Sequence, residues 1–172
     1  LNYGSTGVGG SPHLAMELLN VMTSIDIVHV PYKGAGAMLP DLLSGQIQAA
    51  NVALSGQASH IRAGRLRALA VASAKRSPSF PDVPTFIESG IPGYEVIIWY
   101  AMFAPVATPK AIVAKLNATL VDVLKSPNMI ARLAQAGIDA ASSTPGELDA
   151  LVKADIAKWS KVVKLTGIKA TN

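Results

Sequence analysis

The sequence predicts an α/β fold, a mostly parallel sheet flanked by helices, followed by a helical C-terminal portion whose own core is incomplete. Three observations carry this. Short β-branched or alternating segments take turns with helical stripes along residues 1–73. Residues 77–94 break the rhythm, punctuated by Pro78, Pro81, Pro84, Gly90, Pro92 and Gly93. Beyond Thr108 the periodicity is helical with a single short strand.

The first element, "LNYGS", reads as a strand, and Leu14, Leu18, Met22 and Ile25 form the apolar stripe of the helix that follows. "DIVHVPY" is β-branched and bounded by Pro31, Gly34 and Gly36, so it is the second strand. Met38, Leu39, Leu42 and Leu43 make a short helical face that ends at Gly45. A third round has "IQAANVAL" as strand and "SGQASHIRAG" as a helix closing on Gly64, and "RLRALAVAS" gives a fourth strand. The proline-rich connection leaves room for the brief helix "TFIESG", and "VIIWYAMFAPVATP" reads as a long buried strand up to Pro105. Thr108 is placed as N-cap and Pro109 as first residue of a helix with Ile112, Leu116, Leu120 and Leu124 on one face. "SPNMIARLAQAG" repeats that start and stops at Gly137; the strand "IDAAS" and a helix from Thr144 close the chain.

Composition narrows the functions. The 172 residues are half hydrophobic and only 15% charged, and no apolar run reaches the roughly 18 residues of a membrane span, so a soluble chain is expected. There is no cysteine, which removes disulfides, thiolate chemistry and cysteine zinc sites. The net charge is +4, with Arg62, Arg65, Arg67, Lys75 and Arg76 in one run free of acidic residues. That run flanks an apolar segment and reads as solvated ends. No aromatic lies between Arg62 and Arg76 for base stacking, so nucleic acid is not a partner. His13, His29 and His60 share no metal-ligand spacing, no pair of carboxylates is set for acid and base work, and no cofactor motif is present. The chain opens on Leu1 and already reads like a strand, as if cut or processed from something longer.

The chemistry concentrates in "YGSTGVGGSPHLAMELL", a glycine-rich turn between a strand and a helix N-terminus. Such a turn offers backbone amides and a favourable dipole to an anion. Gly4 and Gly9 fit the outer glycines of a phosphate loop, but Gly10 stands where its lysine belongs. Pro12 occupies the last glycine position of a dinucleotide fingerprint, and His13 the last glycine of a nucleophile elbow on Ser11. What remains is an uncharged cradle: amides of Gly7, Gly9 and Gly10, hydroxyls of Ser5, Thr6 and Ser11, with Ser11 as N-cap and Pro12 as first helical residue. That donor set suits a carboxylate held by hydrogen bonds. A ligand-free tight turn is the other reading.

The segments "YGSTGVGGSPHLAMELL", "DIVHVPYKGAGAMLPDLLSGQIQ", "HIRAGRLRALAVASAKRSPSFPDVPTFIESGIPGYEV" and "FAPVATPKAIVAKLNATL" together resemble Bug-type solute-binding proteins of tripartite tricarboxylate transporters. The resemblance covers essentially the whole chain. It implies a periplasmic-binding-protein-like fold of type II, in which two α/β domains close on a small organic carboxylate, a di- or tricarboxylate or related acid, and pass it to a membrane permease. Residues 1–100 then correspond to the family's second domain and 101–172 to the returning part of its first, with the family's N-terminal region lacking. The matching ligand positions are Ser5, Thr6, Gly7, Gly9, Gly10 and Ser11, with His13 behind them, and the later loops carrying Lys33, Gly34 and Asn51. Lys33 is either a ligand cation or a solvated turn residue. Where many relatives carry Phe-Asp-Asn this chain has Asn51, Val52 and Ala53, so simple carboxylates are favoured over amino acids. Two other readings stand beside the receptor: a fragment that dimerises through exposed apolar surface on 101–172, and a hydrolase using Ser11 or Ser55 with a histidine in reach.

Overall fold

The computed structural model describes residues 1–135 and 138–169. The chain divides into two compact units, one of Leu1–Ile98 with the residues from Trp159 onward, the other of Trp99–Lys158.

The first unit carries a parallel sheet of order β2-β1-β3, with β1 (Asn2–Ser5) central, β2 (Val28–Pro31) on one side and the two-residue β3 (Ala49–Ala50) on the other. Tyr3 lies opposite His29 and Ala49 in register. Helices α1 (Ser11–Thr23), α2 (Ala35–Ser44) and α3 (Leu54–Arg62) follow the three strands in turn. Side chains alternate along a strand, so the two faces of β1 meet different layers. Tyr3 joins Met16, Leu19 and Tyr94 in a closed core, with Ile27, Phe86 and Val96 packed against it. On the other face Met38 and Ile47 sit against Gly4 so closely that an added Cβ would come within 2.5 Å of Ile47 Cδ1 and 2.6 Å of Met38 Sδ. Tyr94 donates its hydroxyl to Ala15 O at 2.9 Å, which ties the proline-rich connection to α1.

Several expectations need correction. The buried face of α1 is Ala15, Met16 and Leu19 with His13, one step round from the predicted stripe, and Met22 and Ile25 are exposed. The face is set by what β1 presents, Tyr3 and Ser5, both fully buried. The N-cap of α1 is Gly10, not Ser11, because Leu14 N–H already bonds Gly10 O at 3.0 Å. At the start of α4 (Lys110–Lys125) Pro109 likewise takes the cap position predicted for Thr108.

The fourth strand is reduced to one parallel bridge between Val71 and Thr85, where Val71 N–H bonds Pro84 O and Phe86 N–H bonds Val71 O. Val71 therefore pairs with the proline-rich connection, and a proline has no N–H with which to extend a ladder. "TFIESG" is a single turn, closed by Thr85 N–H to Glu88 Oε2 at 2.8 Å and Glu88 N–H to Thr85 Oγ1 at 3.0 Å. Neither 96–105 nor 138–142 is a strand, and the segment read as buried is open: Tyr100 is 82% and Phe103 67% exposed. β-branched and aromatic residues suit a pleated surface, but a strand needs a neighbour along its length, and the bond at the start of 96–105, Val96 N–H to Ala72 O at 2.9 Å, is not continued into a ladder among the described residues. The predicted stop at Gly137 lies outside the described residues.

The second unit holds α4, α5 (Pro127–Gln135) and the first part of α6 (Pro145–Thr166), and an open apolar groove between α4, α6 and the segment before α4 is lined by Met102, Phe103, Val113, Leu116, Leu120 and Leu148. No residue of α4 or α5 is buried. Thr144 and Glu147 cap α6 reciprocally, Thr144 N–H bonding Glu147 Oε2 at 2.7 Å and Glu147 N–H bonding Thr144 Oγ1 at 3.2 Å. Trp99 Nε1–H bonds Asp155 at 2.7 Å. No helix of the described residues is long and apolar enough to cross a membrane.

Candidate functional site

All three strands of the parallel sheet release their loops at one edge, and each loop leads into a helix N-terminus. The order β2-β1-β3 sends the first two connections to opposite sides of β1, so the crevice between the carboxyl ends of β1 and β3 is a topological switch point, where open α/β sheets bind ligands. Residues 6–10 and 51–53 form its two walls, and the loop 32–34 stands on the far side of β1.

The turn after β1 is shaped by its glycines. Gly9 takes φ of +75°, a left-handed conformation that side chains rarely adopt. Gly10 then becomes extended, with φ of −71° and ψ of 161°, and the chain enters α1. That N-terminus has no side-chain cap and no acidic residue in its first turn. The N–H groups of Ser11 and His13 have no acceptor within the helix, and Pro12 has none to satisfy. Thr6 and Ser11 are exposed beside them.

Not every amide of the predicted cradle faces outward. Gly7 N–H bonds Ser5 Oγ at 3.2 Å, and Gly9 N–H bonds His13 Nδ1 at 3.0 Å. Both are turned into the protein. Ser5 is wholly buried, its hydroxyl within 3.0 Å of Gly7 O and 2.7 Å of His29 Nε2. The groups left to meet a ligand are the Thr6 and Ser11 hydroxyls and the helix N-terminal amides. Beneath them lies a cluster that sequence spacing did not reveal. His13 and His29 stack with ring centroids 3.8 Å apart and planes 13° from parallel, and Tyr3 stacks on His29 at 5.0 Å. Tyr3 donates its hydroxyl to Glu17 Oε1 at 2.7 Å, and the same oxygen lies 3.9 Å from His13 Nε2. Burial holds both imidazoles below their ordinary titration range, against the pull of Glu17, and His29 is lowered further by its neighbour His13. Burial and then the bond to Glu17 push the Tyr3 phenol far up.

On the second loop Tyr32 is anchored twice, its N–H to Ser5 O at 3.0 Å and its hydroxyl to Asp41 at 2.7 Å. Lys33 beside it is exposed, and Gly34 caps α2 with φ of +98°. Asn51 is half-buried at the third loop. A residue not singled out from the sequence, Gln57, is buried in α3 with no partner for its Oε1 among the described residues. The signal for the histidine cluster was there in part: His13 and Glu17 are four apart on one helix, but pairing His29 with Tyr3 requires the strand register.

A hydrolytic pair is absent from the predicted places. Neither Ser11 nor Ser55 has a histidine in hydrogen-bond reach among the described residues, and the serine that does, Ser5, is sealed from solvent. No group of His, Cys, Asp and Glu suited to a metal occurs among the described residues.

Comparison with known proteins gives this geometry its context. Residues 1–168 match the family model described as the tripartite tricarboxylate transporter family receptor. A protein of the tcbD-tcbE intergenic region of Pseudomonas sp. strain P51 is 37% identical over 95% of this chain and 49% of its own. A protein of the clcB-clcD intergenic region of Pseudomonas knackmussii is 35% identical over 91% of this chain and 94% of its own, and BugT of Bordetella pertussis is 36% identical over 94% and 50%. The chain thus spans about half the length of most curated relatives it matches. Among solved structures, an R. palustris protein with adipate aligns at a TM-score of 0.84 and 39% identity, covering 98% of this chain and 56% of that one. MatC of Rhodopseudomonas palustris with bound malate aligns at 0.77 and 34%, covering 95% and 56%.

Proposed function

Because the chain belongs to the tripartite tricarboxylate transporter receptor family, whose members are solute-binding receptors, we propose that it captures a small organic carboxylate in the periplasm for delivery to a membrane permease. The observation that carries the reading is the uncapped N-terminus of α1 at the switch point, with no carboxylate in its first turn and two exposed hydroxyls beside it. A carboxylate there gains hydrogen bonds from amides that otherwise have only water, in the field of the helix dipole. No lysine stands in the turn to demand a phosphate. Lys33 supplies longer-range attraction from the neighbouring loop, and Asn51 closes the crevice from the other side. The neighbours with adipate and with bound malate support this chemical class, and the absence of an acidic group at residues 51–53 favours such acids over amino acids. In this reading residues 1–100 are the receptor's second domain and 101–172 the returning part of its first.

A thermal-shift screen tests this. Short mono-, di- and tricarboxylates are expected to raise the melting temperature, since a ligand that binds only the native state stabilises it by mass action. Phosphate and nucleotides are expected to leave it unchanged; a phosphate shift equal to the best carboxylate would overturn the reading. A second reading rests on the second unit, whose apolar helix faces are open, with Ile112 50% exposed. There the chain is an interaction fragment that dimerises through that surface, and light scattering showing a dimer with no carboxylate response would favour it.

A further inference from the structure

The turn that would meet the ligand is held from beneath by two imidazoles, and only one protonation state of His13 allows the hold. Gly9 N–H is a donor, so His13 Nδ1 at 3.0 Å must carry a lone pair. A proton on Nδ1 puts two donors face to face and removes the bond. His29 lies 3.8 Å away, so charging both rings sets two positive charges together where solvent access is small. The groups facing the pair are Tyr3 and Ser5 from β1, and Glu17 from α1 itself. Glu17 favours a charged ring, but Tyr3 donates to the same carboxylate oxygen, and burial opposes the charge. Because Gly9 precedes the N-cap, its anchoring sets the path by which Gly10 enters the helix.

We propose that His13 is a positioning residue, whose deprotonated Nδ1 fixes Gly9 and thereby the ligand-ready form of the turn, and that protonation of the His13–His29 stack unlocks it and weakens carboxylate binding. The second half rests on the receptor reading above; the first does not. An acidified medium would then lower uptake at the receptor.

The test uses the full chain labelled with nitrogen-15 and followed without ligand from about pH 8 to about pH 5. The expected result is an unprotonated Nδ1 on His13 at the alkaline end. As that nitrogen gains its proton, the Gly9 amide signal moves and its hydrogen exchange, corrected for the intrinsic pH dependence, rises at least about tenfold. A protonated Nδ1 at neutral pH, or a Gly9 amide that ignores the titration, would overturn the lock. In calorimetry with adipate, affinity is expected to fall about tenfold between about pH 7.5 and about pH 5.5, the scale of one lost hydrogen bond. His13→Asn keeps a neutral acceptor near the Nδ1 position and is expected to bind with a flat pH profile, whereas His13→Leu binds weakly throughout. Affinity that rises in acid would mean that the imidazolium is itself a ligand cation and would overturn the proposal. If the labelled turn unlocks as described while adipate gives no heat at any pH, the lock stands and the receptor reading fails.

Discussion

The two units of the chain are comparably apolar in sequence but not in burial. In the first, Tyr3, Met16, Leu19 and Tyr94 close a core between sheet and helix, and Met38 and Ile47 cover the opposite face of β1. In the second, α4 and α5 have stripes of equal quality, yet none of their residues is buried, and Leu116 remains 45% exposed. A stripe predicts a helix and the direction of its apolar face; it does not supply the layer that the face needs. The site follows the same division. Fixed turns at a sheet edge can position hydrogen-bond donors, whereas an open apolar groove offers area without orientation.

Removing one large side chain from each unit separates a closed core from an open face. Tyr94→Ala, which empties the core and deletes the bond to Ala15, is expected to destabilise the first unit by about 3–5 kcal/mol in urea unfolding. Leu116→Ala is expected to cost well under about 1 kcal/mol, because little transfer free energy is lost from a half-exposed site. Equal costs would mean that the groove is as well packed as the core. Gly4→Ala tests the covered sheet face: the added methyl meets the flexible ends of Ile47 and Met38 and is expected to cost about 1–3 kcal/mol. A neutral result would show slack in that layer.

Acid should act on the first unit through its histidines. Their folded titration lies below that of the unfolded chain, so the folded state binds fewer protons. Their contribution is complete above the ordinary histidine value and is lost as the pH falls from there through the lowered folded values. The melting temperature is therefore expected to drop on acidification from about pH 7.5 to about pH 5.5, and less so in His13→Asn. The same drop in His13→Asn would place the acid-sensitive group elsewhere. Thr144→Ala, which removes the capping box of α6, is expected to cost about 1 kcal/mol of helix stability by circular dichroism.

What the sequence made legible was local. The alternation of β1, α1, β2 and α2, the helix end at Gly45 and the start of α6 at Thr144 depend on neighbours a few positions away, and each was readable. The apolar segment at 96–105 and the fourth strand were misread because a strand is defined by a partner, and no local signal says whether one is present. The start of α1 shifted by one residue because a proline is tolerated at either of the first two helical positions, neither of whose N–H groups has a partner within the helix. At the site, the glycine-rich turn and its place at a strand's carboxyl end were legible. That Gly7 and Gly9 turn their amides inward was not, since their acceptors, Ser5 Oγ and His13 Nδ1, are side chains whose directions follow from packing against His29.

In the proposed reading, carboxylate recognition belongs to the sheet edge of the first unit. The measurement that tests it most directly is a map of backbone amide shifts on titration with adipate, for the wild-type chain and for Gly10→Val, whose side chain would project over the helix N-terminus at a backbone geometry that permits it. The predicted result is a set of shifts confined to residues 6–13 and 51–53, abolished in the variant while its ligand-free spectrum stays folded. Shifts gathered instead around Phe103, Leu116 and Leu148, or unchanged by the substitution, would contradict it.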